Sequence, residues 1–337
     1  MDKALTFGLI GCGAYGKVHA RVYHNHPGVH LKALWSPTRE NREASAQRFA
    51  CWTADTWQEI VEDPAIDCVA IATPDFAHTE YAVASLRAGK HVILEKPMAM
   101  NTADCKKILE ERDRSGKKLM INYHNRWYPA FVEARKTILE GRIGRPVSAT
   151  FVLSDTLSWV EENMRWAHQS GPEWFLMTHT VDLACWLLDD RPVEIFAMAH
   201  EGLLESKGLF TRDLVQATMR FIGGAIVHLE SSWVLARNWR NSINDMWLSI
   251  QGEDGRIDVN ADFENICITS NRYETPLVLL EHTEDRPIQD FIGCVLEDRP
   301  VPVTGEEGLL ATRVVEAVVK SYRERRMVRL DESESAS

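Results

Sequence analysis

The stretch WFLMTHTVDLACWLL, residues 174–188, sets one histidine and one aspartate in an otherwise apolar run. At about 100° per residue, Phe175, His179, Asp182 and Trp186 fall within roughly a 60° stripe of one helical face. An imidazole titrates near neutral pH and can carry a proton either way, so His179 is a candidate general acid/base. Burying it with a carboxylate costs free energy unless the two pair or face a ligand. Two readings follow: a satisfied core pair in which Asp182 accepts from His179, or a proton-carrying site. On this stretch alone the core pair is the simpler reading.

A second constellation opens the chain. The apolar run LTFGLIG leads into Gly11-Cys12-Gly13-Ala14-Tyr15-Gly16, a GxGxxG between strand and helix. Such a loop needs glycine first for the turn, then for the approach of a pyrophosphate, then for helix packing. The anion rests on unpaired N–H groups at the helix N-terminus. Where NAD-binding versions carry an acid about 20 residues on, this chain reads LWSPTRENR. Ser36, Thr38 and Arg39, with Arg42 one turn on, suit a ribose 2′-phosphate, which arginine can grip bidentately. The cofactor expected is therefore NADP, with NAD possible. Alternatively, or in addition, Ser36 caps the next helix with Pro37 at its first position.

These loops require a scaffold that presents strand ends. LKALW, CVAIAT, HVILEK and KLMINY repeat the opening apolar run, and helix-like segments at 14–25, 39–49, 77–89 and 102–114 lie between them. That alternation predicts βαβ units and a parallel sheet covered on both faces, an α/β Rossmann domain over 1–124. Beyond it PVSATFVLS, VEIFAMAH, LVQATMRF, AIVHLESSW, DMWLSIQG, GRIDVN and NICITS predict an open, largely antiparallel sheet, so that 125–330 forms an α+β domain. Gly223 and Gly224 mark a tight hairpin, and 305–325 reads as a closing amphipathic helix. The tail 331–337 is expected to be disordered.

At 337 residues, with 45% hydrophobic and 26% charged residues, the chain reads as a soluble globular protein of two domains. No apolar run approaches a membrane span, and no signal-type segment precedes the first strand. A net charge of −11 without a basic stripe argues against nucleic acid. Seven dispersed cysteines, without CxxC spacing, point to a reducing cytoplasm and no metal site.

Two further motifs complete the pattern: Ala72-Thr73-Pro74-Asp75-Phe76-Ala77-His78 after the third strand-like run, and Glu95-Lys96-Pro97 after the fourth. With the glycine loop, they make the chain resemble the Gfo/Idh/MocA oxidoreductases, the glucose-fructose oxidoreductase and inositol dehydrogenase group. The resemblance spans nearly the whole chain, through GRIGRPV, HTVDLACWLL and VTGEEGLLATRVVEAVVKSY. It implies that Lys96 lies beside the nicotinamide and hydrogen-bonds the reacting oxygen, with Pro97 in a cis peptide. Thr73, Pro74 and Glu95 would line ribose and nicotinamide, and His78 would either join them or be satisfied at a helix start. His179 aligns with the family's acid/base histidine, oriented by Asp182, which overturns the core-pair reading. One departure stands out: Phe175 occupies a position where sugar and inositol dehydrogenases of the family usually carry aspartate. Replacement polar groups are sought in Tyr123, His124 and Arg126, or in Arg165 and His168, each of which could equally pack. Trp127, Trp166 and Trp174 are candidates for a stacking wall.

The expected function is an NADP-preferring oxidoreductase interconverting a secondary alcohol and a ketone, or an aldehyde, on a small carbohydrate-derived substrate. The alternatives are an enzyme whose bound NAD(P) cycles while it cleaves glycosides through a transient ketone, and a non-catalytic NADP(H) sensor. A homodimer or homotetramer is expected, because the family often pairs through the open sheet.

Overall fold

A computed structural model describes residues 4–240, 242–261, 265–277 and 283–330. The chain divides into two compact units, one of 1–124 with 282–309 and one of 125–281 with 310–337. The 331–337 tail lies outside the described residues.

In the first unit six strands form a wholly parallel sheet: β1 (Leu5–Ile10), β2 (Val29–Trp35), β3 (Trp52–Thr53), β4 (Cys68–Ile71), β5 (His91–Glu95) and β6 (Leu119–Asn122), in the order β3-β2-β1-β4-β5-β6. β4 and β6 are buried at every position, which is why they read as continuous apolar runs rather than alternating ones. The strand order reverses between β1 and β4. In such sheets the ligand crevice lies outside the carboxyl ends at that reversal, here where the glycine loop and the Thr73 loop begin. The edge strand β3 and the helix Trp57–Glu62 are additions to the sequence reading, too short to show a period.

One assignment is corrected. Residues 282–309, read from sequence as part of the second domain, belong to the first unit. The helix Asp285–Leu296 packs on β5, β6 and the helix Ala14–Asn25, and Phe291 stands edge-on to Phe7 at 6.4 Å. An amphipathic pattern says that a helix has an apolar face, not which sheet it covers.

The second unit is built on a nine-stranded mixed sheet. Its strands are β7 (Pro146–Thr156), β8 (Pro192–His200), β9 (Leu214–Phe221), β10 (Ile226–Leu235), β11 (Asn244–Gly252), β12 (Arg256–Asn260), β13 (Asn265–Thr269), β14 (Tyr273–Glu274) and β15 (Val328–Arg329). They run in the order β14-β13-β12-β11-β7-β10-β9-β8-β15, antiparallel except for β7 against β10. β9 alternates buried Val215, Ala217, Met219 and Phe221 with exposed Gln216, Thr218 and Arg220, as expected of a sheet with one face in the core. The β9–β10 hairpin turns at Gly223–Gly224, where Gly224 adopts a φ of 92°. The helix Met177–Leu188 packs on β7 and β10, with His179 and Asp182 both buried. The helix Gly305–Glu324 begins with a reciprocal cap: the Thr304 N–H donates to the Glu307 carboxylate, and the Glu307 N–H to the Thr304 hydroxyl.

Candidate active site

In the first unit the glycine loop takes the form a dinucleotide requires. Gly11 has φ 107°, and a Cβ there would strike the Ala72 carbonyl; a Cβ on Gly16 would strike the Gly11 carbonyl. Those two glycines are steric necessities of loop and helix packing. Gly13 differs, because a Cβ built on it meets nothing within 4 Å. It is the N-cap of Ala14–Asn25 and has no side-chain cap, the kind of helix start on which a pyrophosphate can rest. Cys12 is buried, and burial pushes its thiol up to about 12, which makes it packing rather than a nucleophile.

At the end of β2 the following helix starts at Arg39, with Thr38 as N-cap, so Ser36 is not the cap and Pro37 is not the first helical residue. Arg39 is exposed and its Nε donates to Glu43 at 2.6 Å. Arg42 reaches the buried Ser36 through its carbonyl at 3.4 Å and Asp55 at 3.6 Å. Both guanidiniums lie near the second strand end, and both already have acceptors.

The loops after β4 and β5 are tied together by His78. It is fully buried, with Nδ1 2.6 Å from the Pro97 carbonyl and Nε2 2.9 Å from the Thr73 carbonyl. Burial lowers its pKa against the opposing pull of those carbonyls. The ring lies at the helix start between the Thr73 and Pro97 carbonyls, so it bridges the two loops. Glu95 is buried as well. Its carboxylate is buried against His19 at 2.9 Å and Asn122 at 2.6 Å, and His19 continues to the Tyr23 hydroxyl. Burial alone would raise the Glu95 pKa, but the His19 and Asn122 hydrogen bonds and the nearby histidines hold it below the usual range. Lys96 follows directly. Its side chain lies at the carboxyl end of β5, 7% exposed, and the Lys96–Pro97 peptide is cis.

His124, at the end of the same unit, meets the Tyr15 hydroxyl of the glycine loop at 3.1 Å. Burial pushes its pKa down to about 4, with Lys96 adding to the fall and Glu95 opposing it, so the ring is neutral at pH 7. Tyr123 is fully buried.

In the second unit the expected 174–188 helix is broken. A short turn, Pro172–Phe175, ends at Leu176, and the helix proper runs from Met177 to Leu188. Asp182 accepts both arms of a fork from Arg126, Nε at 2.9 Å and Nη2 at 2.6 Å, with both side chains buried. Arg126 therefore anchors Asp182. Trp186 lies beneath both Arg126 and Arg135, at 5.9 and 4.7 Å from ring centroid to guanidinium carbon. His179 meets the amide nitrogen of Asn125 at 3.3 Å through Nδ1. Asn125 is the contact that sequence reasoning passed over, although it stands between two named candidates; a neutral amide carries no charge or periodicity to reveal it.

The aromatic candidates divide. Trp174 is buried. Trp166 and Phe175 are half-buried and stand edge-to-face at 5.7 Å, and Phe175 continues to the fully buried Trp233 at 6.1 Å. Arg165 and His168 are exposed. Glu173, unflagged by the sequence reading, is fully buried, 2.5 Å from Arg212 and 3.2 Å from the Tyr322 hydroxyl, a structural ion pair. Among the described residues no three His, Cys, Asp or Glu side chains converge as metal ligands.

Residues 5–123 match the oxidoreductase family with the NAD-binding Rossmann fold, Gfo/Idh/MocA, and residues 131–258 match that family's C-terminal domain. The chain belongs to the Gfo/Idh/MocA oxidoreductase family. A levoglucosan dehydrogenase from Pseudarthrobacter phenanthrenivorans is 30% identical over 76% of this chain and 73% of its own length. A myo-inositol 2-dehydrogenase from Thermotoga maritima is 26% identical over 97% and 99%. Among solved structures, a levoglucosan dehydrogenase in complex with NADH and levoglucosan superposes with TM-score 0.87, at 25% identity over 98% of this chain and 100% of that one. As a Gfo/Idh/MocA protein, the chain pairs an NAD-binding Rossmann unit with the mixed-sheet unit that carries His179.

Proposed function

We propose that this protein is an NADP-preferring oxidoreductase that interconverts a secondary alcohol and a ketone, or an aldehyde, on a small carbohydrate-derived substrate. The observation that carries the reading is Lys96: a nearly buried ammonium at the carboxyl end of β5, in the loop that His78 ties to the Thr73 turn. The bound nicotinamide supplies hydride transfer. Lys96 hydrogen-bonds the reacting oxygen and stabilises the negative charge it acquires, as a desolvated donor does most effectively. His179 delivers or removes the proton. Glu95 stays out of the reaction and fixes the end of β5 through His19 and Asn122.

Relatives named for levoglucosan and myo-inositol and the edge-to-face pair Trp166–Phe175 support the substrate class. Aromatic rings at that spacing suit the C–H face of a sugar ring better than a row of hydroxyls. The cofactor preference rests on Ser36, Thr38 and Arg39 where an acid would favour NAD. Binding NADP would draw Arg39 from Glu43, a surface pair worth little. In a panel of sugars, inositols, anhydrosugars and sugar acids, at least one compound should turn over faster with NADP(H), and Arg39→Ala should weaken NADP about tenfold more than NAD. Equal losses for both nicotinamides would remove the phosphate-binding role of Arg39.

We also infer a homodimer or homotetramer joined through the outer face of the nine-stranded sheet, where Phe196 and Met198 on β8 are 45% and 66% exposed. Sedimentation velocity should find it; a monomer at micromolar concentration would refute it. The seven free cysteines fit a reducing cytoplasm.

A further inference from the structure

We propose that Asn125 sets the proton-bearing nitrogen of His179, and that Arg126 and Asp182 hold Asn125 in place to do so. The inference rests on the reading of His179 as the proton carrier. An amide nitrogen only donates, so Nδ2 of Asn125, 3.3 Å from Nδ1, makes that ring atom an acceptor and leaves the neutral ring's hydrogen on Nε2. Both side chains are more than nine-tenths buried, which keeps water from competing for Nδ1. The contact is fixed by its neighbour. Arg126, next in the chain, grips Asp182 with two hydrogen bonds, and Asp182 lies one helical turn beyond His179. Two consecutive residues of the turn His124–Trp127 thus hold two residues on one face of Met177–Leu188.

The chemical consequence concerns Nε2. In the resting tautomer that atom is a donor, able to polarise a substrate oxygen but unable to accept a proton. For Nε2 to act as a base, the ring proton must lie on Nδ1, and the Asn125 amide must turn to present Oδ1 as its acceptor. The protonated ring needs the same rotation. Asn125 is then a positioning residue that serves both states by turning its amide, something neither leucine nor aspartate can do. Arg126 and Asp182, which join this turn to the helix, are paired with each other.

The test is long-range proton–nitrogen NMR of the full chain labelled with 15N-histidine, His179 being assigned from the signal missing in His179→Gln. The expected wild-type pattern above the ring's pKa is the Nε2–H tautomer. Asn125→Asp, which offers only acceptors, should move the proton to Nδ1, and Asn125→Leu should leave neither tautomer dominant. Asn125→Leu should also lower kcat about tenfold or more while KM stays within about threefold, a split that loss of packing alone does not give. An Nδ1–H tautomer in the wild type, or no change in Asn125→Asp, would overturn the proposal. The two readings fail separately: full turnover by His179→Gln removes the proton-carrier role whatever the tautomer, whereas a wild-type Nδ1–H tautomer with turnover lost in His179→Gln removes only the role of Asn125.

Discussion

Lys96→Met should lower kcat by about 10²- to 10⁴-fold while leaving the dissociation constant for the nicotinamide within a few-fold. The range is what removal of a transition-state hydrogen-bond donor or a proton-transfer group typically costs. Methionine preserves most of the volume of a side chain that is only 7% exposed, so the loss isolates the ammonium rather than its packing. Stopped-flow measurement of the chemical step with saturating nicotinamide, alongside fluorescence titration of binding, separates the two quantities. A kcat within threefold of wild type would reduce Lys96 to a packed residue of the β5 loop. A parallel collapse of cofactor binding would assign it to the cofactor instead.

Arg126→Leu should destabilise the second unit severely. It leaves the Asp182 carboxylate buried without the two charge-assisted hydrogen bonds it now accepts. Removing one partner of a buried pair costs about 3–5 kcal/mol, because the remaining charge is uncompensated. The contact of Arg126 with Trp186 adds a smaller loss. The expected outcome is a large fall in the urea midpoint followed by tryptophan fluorescence. Arg126→Leu/Asp182→Leu should recover much of it, since removing both charges removes the desolvation penalty as well. If the double variant were as unstable as the single one, the pair would matter for its shape rather than its charge.

How much was legible follows from which physical signals are local. Strands β1, β2, β4, β5 and β6 could be read because a parallel sheet covered on both faces demands continuous apolar runs. The glycine loop could be read because Gly11 and Gly16 are places where any side chain collides with backbone. The motif Glu95-Lys96-Pro97 pointed to its location, but not to the division of labour within it. Glu95 turns inward to His19, 76 residues away in sequence, and only folding brings that partner near. Aromatic residues were the weakest guide, since the types that suit a sugar ring also suit a core. Tyr123 and Trp174 proved buried, while Trp166 and Phe175 kept an accessible face. Asn125 and the return of 282–309 to the first unit left no pattern to detect.

The proposed substrate preference turns on Phe175. Where the family resemblance leads one to expect a carboxylate, this chain sets an apolar ring edge-on to Trp166 and tilted against Trp233. The polar contacts on this unit's helix are supplied instead by His179, Asp182 and the Asn125–Arg126 dipeptide. On this account the substrate presents an apolar C–H face or an anhydro bridge to Phe175, rather than a hydroxyl.

The most direct measurement of the central claim is hydride tracing. The protein is incubated with reduced nicotinamide cofactor, NADPH or NADH, carrying two deuterium atoms at C4, and a panel of keto- and aldo-sugars, and the products are read by deuterium and carbon NMR. The account predicts deuterium on a carbinol carbon of at least one carbohydrate, with no transfer in Lys96→Met. Tight cofactor binding without label transfer to any of them would contradict it and favour a sensor of the nicotinamide pool.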